Sequence, residues 1–168
     1  MQKALRMVDE SVLGFDPDTN PKWNMAFGND SKDVNHACEQ KKAEGELREP
    51  TDKRMFVLAA AMKEGYSVEE LHALTDIDPW FLNKLRKIIQ WHLLHKKKGL
   101  HKTIDSSVLL EAKKLGFSDK QLGKLMECSE MVIRDLREKY DIHPWVKQID
   151  TVAAEWPAAT NYLYLTYR

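Results

Sequence analysis

Two stretches of the chain carry the same helical pattern of apolar and polar positions. Residues 65–87 (GYSVEELHALTDIDPWFLNKLRK) set over residues 116–138 (GFSDKQLGKLMECSEMVIRDLRE) without a gap. Gly65 meets Gly116, Tyr66 meets Phe117 and Ser67 meets Ser118, while Leu71, Leu74, Leu85 and Arg86 meet Leu122, Leu125, Leu136 and Arg137. Each glycine is predicted to end a helix in the left-handed conformation. Each serine then opens the next helix as a capping box, Ser67 with Glu70 and Ser118 with Gln121. Asp78 and Ser129 are the expected N-caps of the second helix in each copy, and Pro79 falls where a first-turn proline is tolerated. Upstream of each copy the apolar spacing predicts a leading helix. Residues 51–64 place Met55, Leu58, Ala59 and Met62 on one face, and residues 106–115 offer Leu109, Ala112 and Leu115. The expected fold is all-α: two tandem three-helix units with helical hairpins, at 51–102 and 103–142. Between them, residues 91–102 prolong a helix that breaks at Gly99.

The ends of the chain are patterned differently. Residues 1–12 read as a helix with Ala4, Leu5, Val8 and Val12 inward, stopped by Gly14. Residues 15–30 contain Pro17, Pro21 and Gly28 and read as loop, and the polar residues 31–45 as a short mobile helix. Residues 1–50 thus form an N-terminal helix and irregular connector. His143-Pro144-Trp145 breaks the last helix, and 143–168 is expected to run on as an extended tail. Its last part, residues 161–167 (NYLYLTY), alternates Tyr162, Tyr164 and Thr166 with Leu163, Leu165 and Tyr167, the mark of a strand. A strand leaves backbone donors and acceptors unpaired without a neighbour. No upstream stretch shows comparable alternation, so the partner is expected beyond Arg168, and the chain reads as a segment of a longer polypeptide.

Composition narrows the chemistry. The chain has 168 residues with 26 Lys plus Arg against 26 Asp plus Glu, so no net field draws it to nucleic acid or to an anionic membrane. No apolar run approaches the roughly 20 residues that span a bilayer. Cys38 and Cys128 are too few and too far apart for a disulfide framework, which fits a reducing compartment. Cys128 reads as a small apolar filler. The dispersed glycines form no phosphate-cradling loop, and no nucleophile–base pair stands out. His92 and His95 share a helix face at i,i+3, and with His101 they have no carboxylate or cysteine nearby in sequence, so a solvated polar face is expected and no metal. Trp80, Phe81 and Trp91 are expected as core anchors. A DNA-binding tandem of helix-turn-helix units is the rival reading, carried by Asn83, Lys84, Arg86, Lys87 and Gln90. Glu130, Asp135 and Glu138 spoil it in the second copy.

Three tracts point further. Residues 74–82 (LTDIDPWFL), 115–121 (LGFSDKQ) and 142–167 (IHPWVKQIDTVAAEWPAATNYLYLTY) resemble the middle of the large chain of carbamoyl phosphate synthetase, as do residues 2–15 and 45–54. Pro79 departs from the family, which usually has a basic residue there. The resemblance implies the helical oligomerization domain that joins two homologous synthetase halves. It implies a non-catalytic segment with no cofactor of its own, in a parent ligase whose halves use ATP and Mg to make carbamoyl phosphate from bicarbonate and ammonia or glutamine. The implied partners are the flanking halves, a glutaminase domain of the parent and a homo-oligomer, with neither nucleic acid nor membrane. The implied pathways are pyrimidine and arginine synthesis and the urea cycle, in the cytoplasm, or the mitochondrion for a urea-cycle type. The wording looks eukaryotic. The residues expected to pack against a synthetase half are Trp145, Lys147, Asp150, Thr151, Glu155, Tyr162 and Tyr164.

Overall fold

Short polar side chains set the helix starts. Ser67, Asp105, Ser118 and Ser129 hold extended backbone, and each accepts a hydrogen bond from an N–H of the turn it opens; Asp78 does the same for Trp80. At Ser67 the capping box is complete, with Glu70 accepting from the Ser67 N–H at 2.8 Å. At Ser118 the serine half is present, its Oγ accepting from the Gln121 N–H at 3.1 Å. Gly65 and Gly116 have φ of 97° and 91°, a conformation that costs glycine little.

The computed structural model describes residues 1–9, 11–18, 34–96, 102–157 and 162–167. Among them the chain is mostly helical, with a small antiparallel sheet near its C-terminus. Contacts divide it into two compact units, Met1–Lys96 and Lys97–Arg168. The first holds α1 (Gln2–Val8), α2 (Val34–Arg48), α3 (Arg54–Lys63), α4 (Val68–Thr75) and α5 (Pro79–His95). The second holds α6 (Ser106–Lys114), α7 (Asp119–Leu125), α8 (Glu130–Lys139), β1 (Trp145–Gln148) and β2 (Leu163–Thr166).

In the first unit α3 and α4 both pack on α5, and α2 packs on α3 and α4. Phe15, Leu47, Leu58, Leu71, Leu82 and Ile89 are sealed from solvent there. In the second unit α7 packs on α8, and Leu109, Phe117, Leu122, Met126 and Ile133 form the core. Gly123 is forced by this packing: a Cβ on it would stand 2.8 Å from the Cys128 carbonyl oxygen. No helix among the described residues is long and apolar enough to cross a membrane.

Several expectations are corrected. The terminal strand finds its partner inside the chain: β2 pairs antiparallel with β1, Trp145 opposite Thr166 and Gln148 opposite Leu163. The tail therefore folds back as a hairpin. Four residues, two of them Lys147 and Gln148, are too short to display alternation, which is why β1 was not legible. The first helix ends at Val8, and it buries Gln2 while Ala4 stays exposed. The polar helix expected over 31–45 extends to Arg48 and buries Ala43 and Leu47. Trp80 and Phe81 are 60% and 53% exposed, packed edge to face on each other; of the three expected anchors, Trp91 alone is buried in the core. Pro21, Gly28, Gly99 and His101 lie outside the described residues.

Candidate interdomain surface

The hairpin is held to its unit from both ends. Lys113, buried on α6, donates to the Phe117 carbonyl at 2.7 Å and to Asp119 at 2.8 Å. Asp119 also accepts from Arg137 at 3.2 Å, and Arg137 donates to the Ile142 carbonyl at 3.1 Å, fixing the chain just before β1. The Lys113 ammonium lies 5.2 Å from the Tyr167 ring, just past β2, and burial pushes the Tyr167 phenol above its ordinary pKa. Between the strands, the Ile149 N–H donates to the Tyr162 carbonyl at 2.8 Å and lengthens the ladder.

Strand alternation sorts the hairpin side chains. Trp145, Lys147, Tyr164 and Thr166 share one face, and Val146, Gln148, Leu163 and Leu165 the other. Trp145, Val146, Tyr162, Leu163, Tyr164 and Leu165 are all more than half exposed. A two-stranded sheet that leaves apolar groups on both faces gains little from burial and is marginal in water. Extended apolar patches of this kind are uncommon on protein surfaces.

The connecting loop contains the other expected residues. The Asp150 carboxylate accepts from the Val152 N–H at 3.0 Å and the Ala154 N–H at 2.5 Å. It holds a tight turn in which Ala153 and Ala154 both take positive φ, 52° and 60°. Asp150 thus organises its own loop, while Thr151 and Glu155 are exposed on it. The structure brings Trp145, Lys147, Tyr162 and Tyr164 together on the hairpin. The loop carries Asp150, Thr151 and Glu155.

A second polar constellation, in the first unit, was missed in the sequence. His92 is 4% exposed and Asp16 5% exposed, so the expectation of a solvated histidine face is wrong for His92. Its Nε2 stands 3.4 Å from Asp18 Oδ2. Asp18 also accepts from Lys63 at 3.0 Å and from Lys96. Burial pulls Asp18 upward, but the two ammonium groups outweigh it and hold the carboxyl far below its ordinary range. Burial also pushes His92 below its ordinary pKa, against the pull of Asp16 and Asp18. The carboxylates come from a segment many residues upstream, a proximity that only folding creates. His95 is already used, its Nδ1 2.9 Å from the Trp91 carbonyl oxygen and its ring stacked on Trp91.

The residues of the DNA-binding reading serve local ends as well. Asn83 donates to the Pro79 carbonyl at 2.8 Å, and the Lys84 ammonium sits 5.0 Å from the Trp80 ring. Cys128 is half-buried, and burial pushes its thiol up, as expected of a filler and not of a nucleophile.

Residues 1–141 match the family profile of the carbamoyl-phosphate synthetase large chain, oligomerisation domain. The chain is 46% identical over 166 residues to the multifunctional protein CAD of Squalus acanthias, covering 99% of this chain and 6% of that protein. It is 44% identical over 168 residues to the mitochondrial arginine-specific carbamoyl phosphate synthase large chain of Schizosaccharomyces pombe, covering 99% of this chain and 13% of that one. To the mitochondrial carbamoyl-phosphate synthase [ammonia] of Rattus norvegicus it is 43% identical over 169 residues, 99% of this chain and 10% of the relative. The chain thus spans a small fraction of the length of these relatives.

Proposed function

The chain belongs to the family of carbamoyl-phosphate synthetase large-chain oligomerisation domains, and from that premise we propose that it is a non-catalytic linker and assembly domain within a longer ligase. In this reading it joins two ATP-dependent synthetase halves that make carbamoyl phosphate from bicarbonate, ATP and ammonia or glutamine. ATP and Mg belong to those halves, and a glutaminase domain of the parent supplies ammonia. The parent is cytoplasmic, or mitochondrial if it is of the urea-cycle type. Self-association of the domain belongs to the same reading.

The finer architecture is part of the proposal. Helices α3–α5 and α6–α8 are two three-helix units, within the ranges 51–102 and 103–142, after an N-terminal connector over 1–50. Three matched details support it. Asp76 and Glu127 both take positive φ, 56° and 52°, at the same place in the turn. Leu82 and Ile133 are both fully buried, and Trp80 and Met131 both face solvent. The tail at 143–168 enters the second synthetase half.

The observation that carries the function is the exposed apolar hairpin, which lies beyond the residues matched by the family profile. Its Trp145, Lys147, Tyr162 and Tyr164, with Asp150, Thr151 and Glu155 on the loop, pack against the half that follows. The test is made in a full-length parent with Val146→Glu and Leu165→Glu, which put two like charges opposite each other on one sheet face. Carbamoyl phosphate synthesis should fall while the bicarbonate-dependent ATP hydrolysis of the first half persists. Unchanged synthesis would overturn the docking role.

A further inference from the structure

We propose that Asp16, Asp18 and His92 form a binding site for a first-row divalent cation of the zinc type, with the Lys96 ammonium as the group that the ion displaces. The three side chains offer ligand atoms that all lie within 4.8 Å of one another. Two carboxylates and one imidazole form a mixed oxygen–nitrogen set that suits zinc better than magnesium or calcium, which favour oxygen alone.

Three observations carry the site. First, His92 is almost wholly buried, yet neither ring nitrogen makes a well-formed hydrogen bond. A buried polar atom without a partner is costly, and an ion on Nε2, the nitrogen facing Asp18, would satisfy one of the two. Secondly, zinc bonds of about 2.0–2.1 Å place neighbouring tetrahedral ligand atoms about 3.4 Å apart. That equals the 3.4 Å separation of His92 Nε2 and Asp18 Oδ2. Thirdly, the ligands are already oriented from behind. The Asp18 N–H donates to Asp16 Oδ1 at 2.9 Å, and Lys63 donates to Asp18 Oδ1 at 3.0 Å. Such outer contacts hold metal ligands in place.

Lys96 marks where the cation sits. Its ammonium contacts Asp18 Oδ2, the same oxygen that faces His92. Its side chain is 49% exposed, so it can swing into water at little cost. A divalent ion entering there replaces one positive charge by two beside two carboxylates. Lys63, on the other oxygen of Asp18, stays.

The experiment is calorimetric titration of the metal-free chain with zinc ion alone, in a thiol-free reductant, followed by cobalt(II) absorption to report the coordination. The wild-type chain should take up one zinc ion saturably. Asp16→Asn and His92→Gln should each weaken uptake by at least about tenfold. Lys96→Gln should tighten it by about fivefold, the size of one partly exposed ion pair. Circular dichroism checks that the variants fold; should His92→Gln fail to fold, Asp16→Asn and Lys96→Gln decide the matter. No uptake by the wild-type chain would overturn the site and leave a cluster neutralised by lysine alone. Uptake that neither Asp16→Asn nor Lys96→Gln alters would place zinc on other histidines or on cysteine, and would overturn it equally.

Discussion

Leu85 and Leu136 occupy the same position in the two aligned stretches, yet their removal should have unequal effects. Leu85 is 3% exposed on α5, where α3 and α4 pack, while Leu136 on α8 is only half-buried. Leucine to alanine removes three carbons, worth about 0.8 kcal/mol each when fully buried, or about 2.4 kcal/mol in all. The cavity left behind brings the expected cost of Leu85→Ala to about 3 kcal/mol, within the usual range for buried leucines. In a unit of under 100 residues each kcal/mol moves the midpoint by about 4–8 °C, so the transition should fall by roughly 12–24 °C. Leu136→Ala, with less area to lose and water to fill the gap, should cost about 1 kcal/mol. The assay is thermal unfolding followed by calorimetry, which resolves the transition that each substitution moves. Equal shifts from the two variants, or no shift from Leu85→Ala, would refute the packing argument.

Other perturbations give equally definite expectations. Gly123→Ala should destabilise the second unit by about 1–3 kcal/mol, because its Cβ would press on the backbone at Cys128 and Ser129; a neutral urea midpoint would contradict this. Ser67→Ala should cost roughly 1 kcal/mol at neutral pH through the lost N-cap. The Ser67 backbone N–H, with its hydroxyl, holds Glu70 below the usual carboxylate range, so that contribution is complete above the unfolded value of about 4.3 and fades as pH falls below it. The gap between wild type and Ser67→Ala, measured by urea unfolding, should narrow on acidification; a widening gap would show that Glu70 is not held this way. Asp150→Ala frees the Val152 and Ala154 N–H groups, so amide exchange in the loop should quicken while α6–α8 exchange as before; an unchanged loop would sink the role assigned to that carboxylate.

Local chemistry was the most legible part of the fold. The serine and aspartate caps, the left-handed Gly65 and Gly116, and the first-turn Pro79 follow from side chains acting on their own backbone, so they can be read one residue at a time. The terminal strand was legible from its own alternation, and the family resemblance of the chain is matched over residues 1–141 by the family profile. What escaped depended on distant segments meeting. β1 is too short to announce itself, and the burial of His92 depends on a carboxylate segment from another part of the chain. Trp80 and Phe81 were misread because bulk alone does not say which side of a helix meets the core; here they shield each other and carry Lys84. Tyr162 and Tyr164 follow the alternation read in the sequence and are exposed, whereas the use of Asp150 within its own loop needed coordinates to see.

The central claim is that the exposed hairpin is a surface completed by the rest of a longer chain. Hydrogen exchange at the amides of residues 145–149 and 163–166 tests it most directly, comparing this chain alone with a full-length parent under the same conditions. The account predicts rapid exchange in the isolated chain and strong slowing in the parent, with the core amides of α5 and α8 little changed. Equal, rapid exchange at the hairpin in both would contradict it and reduce residues 143–168 to a tether.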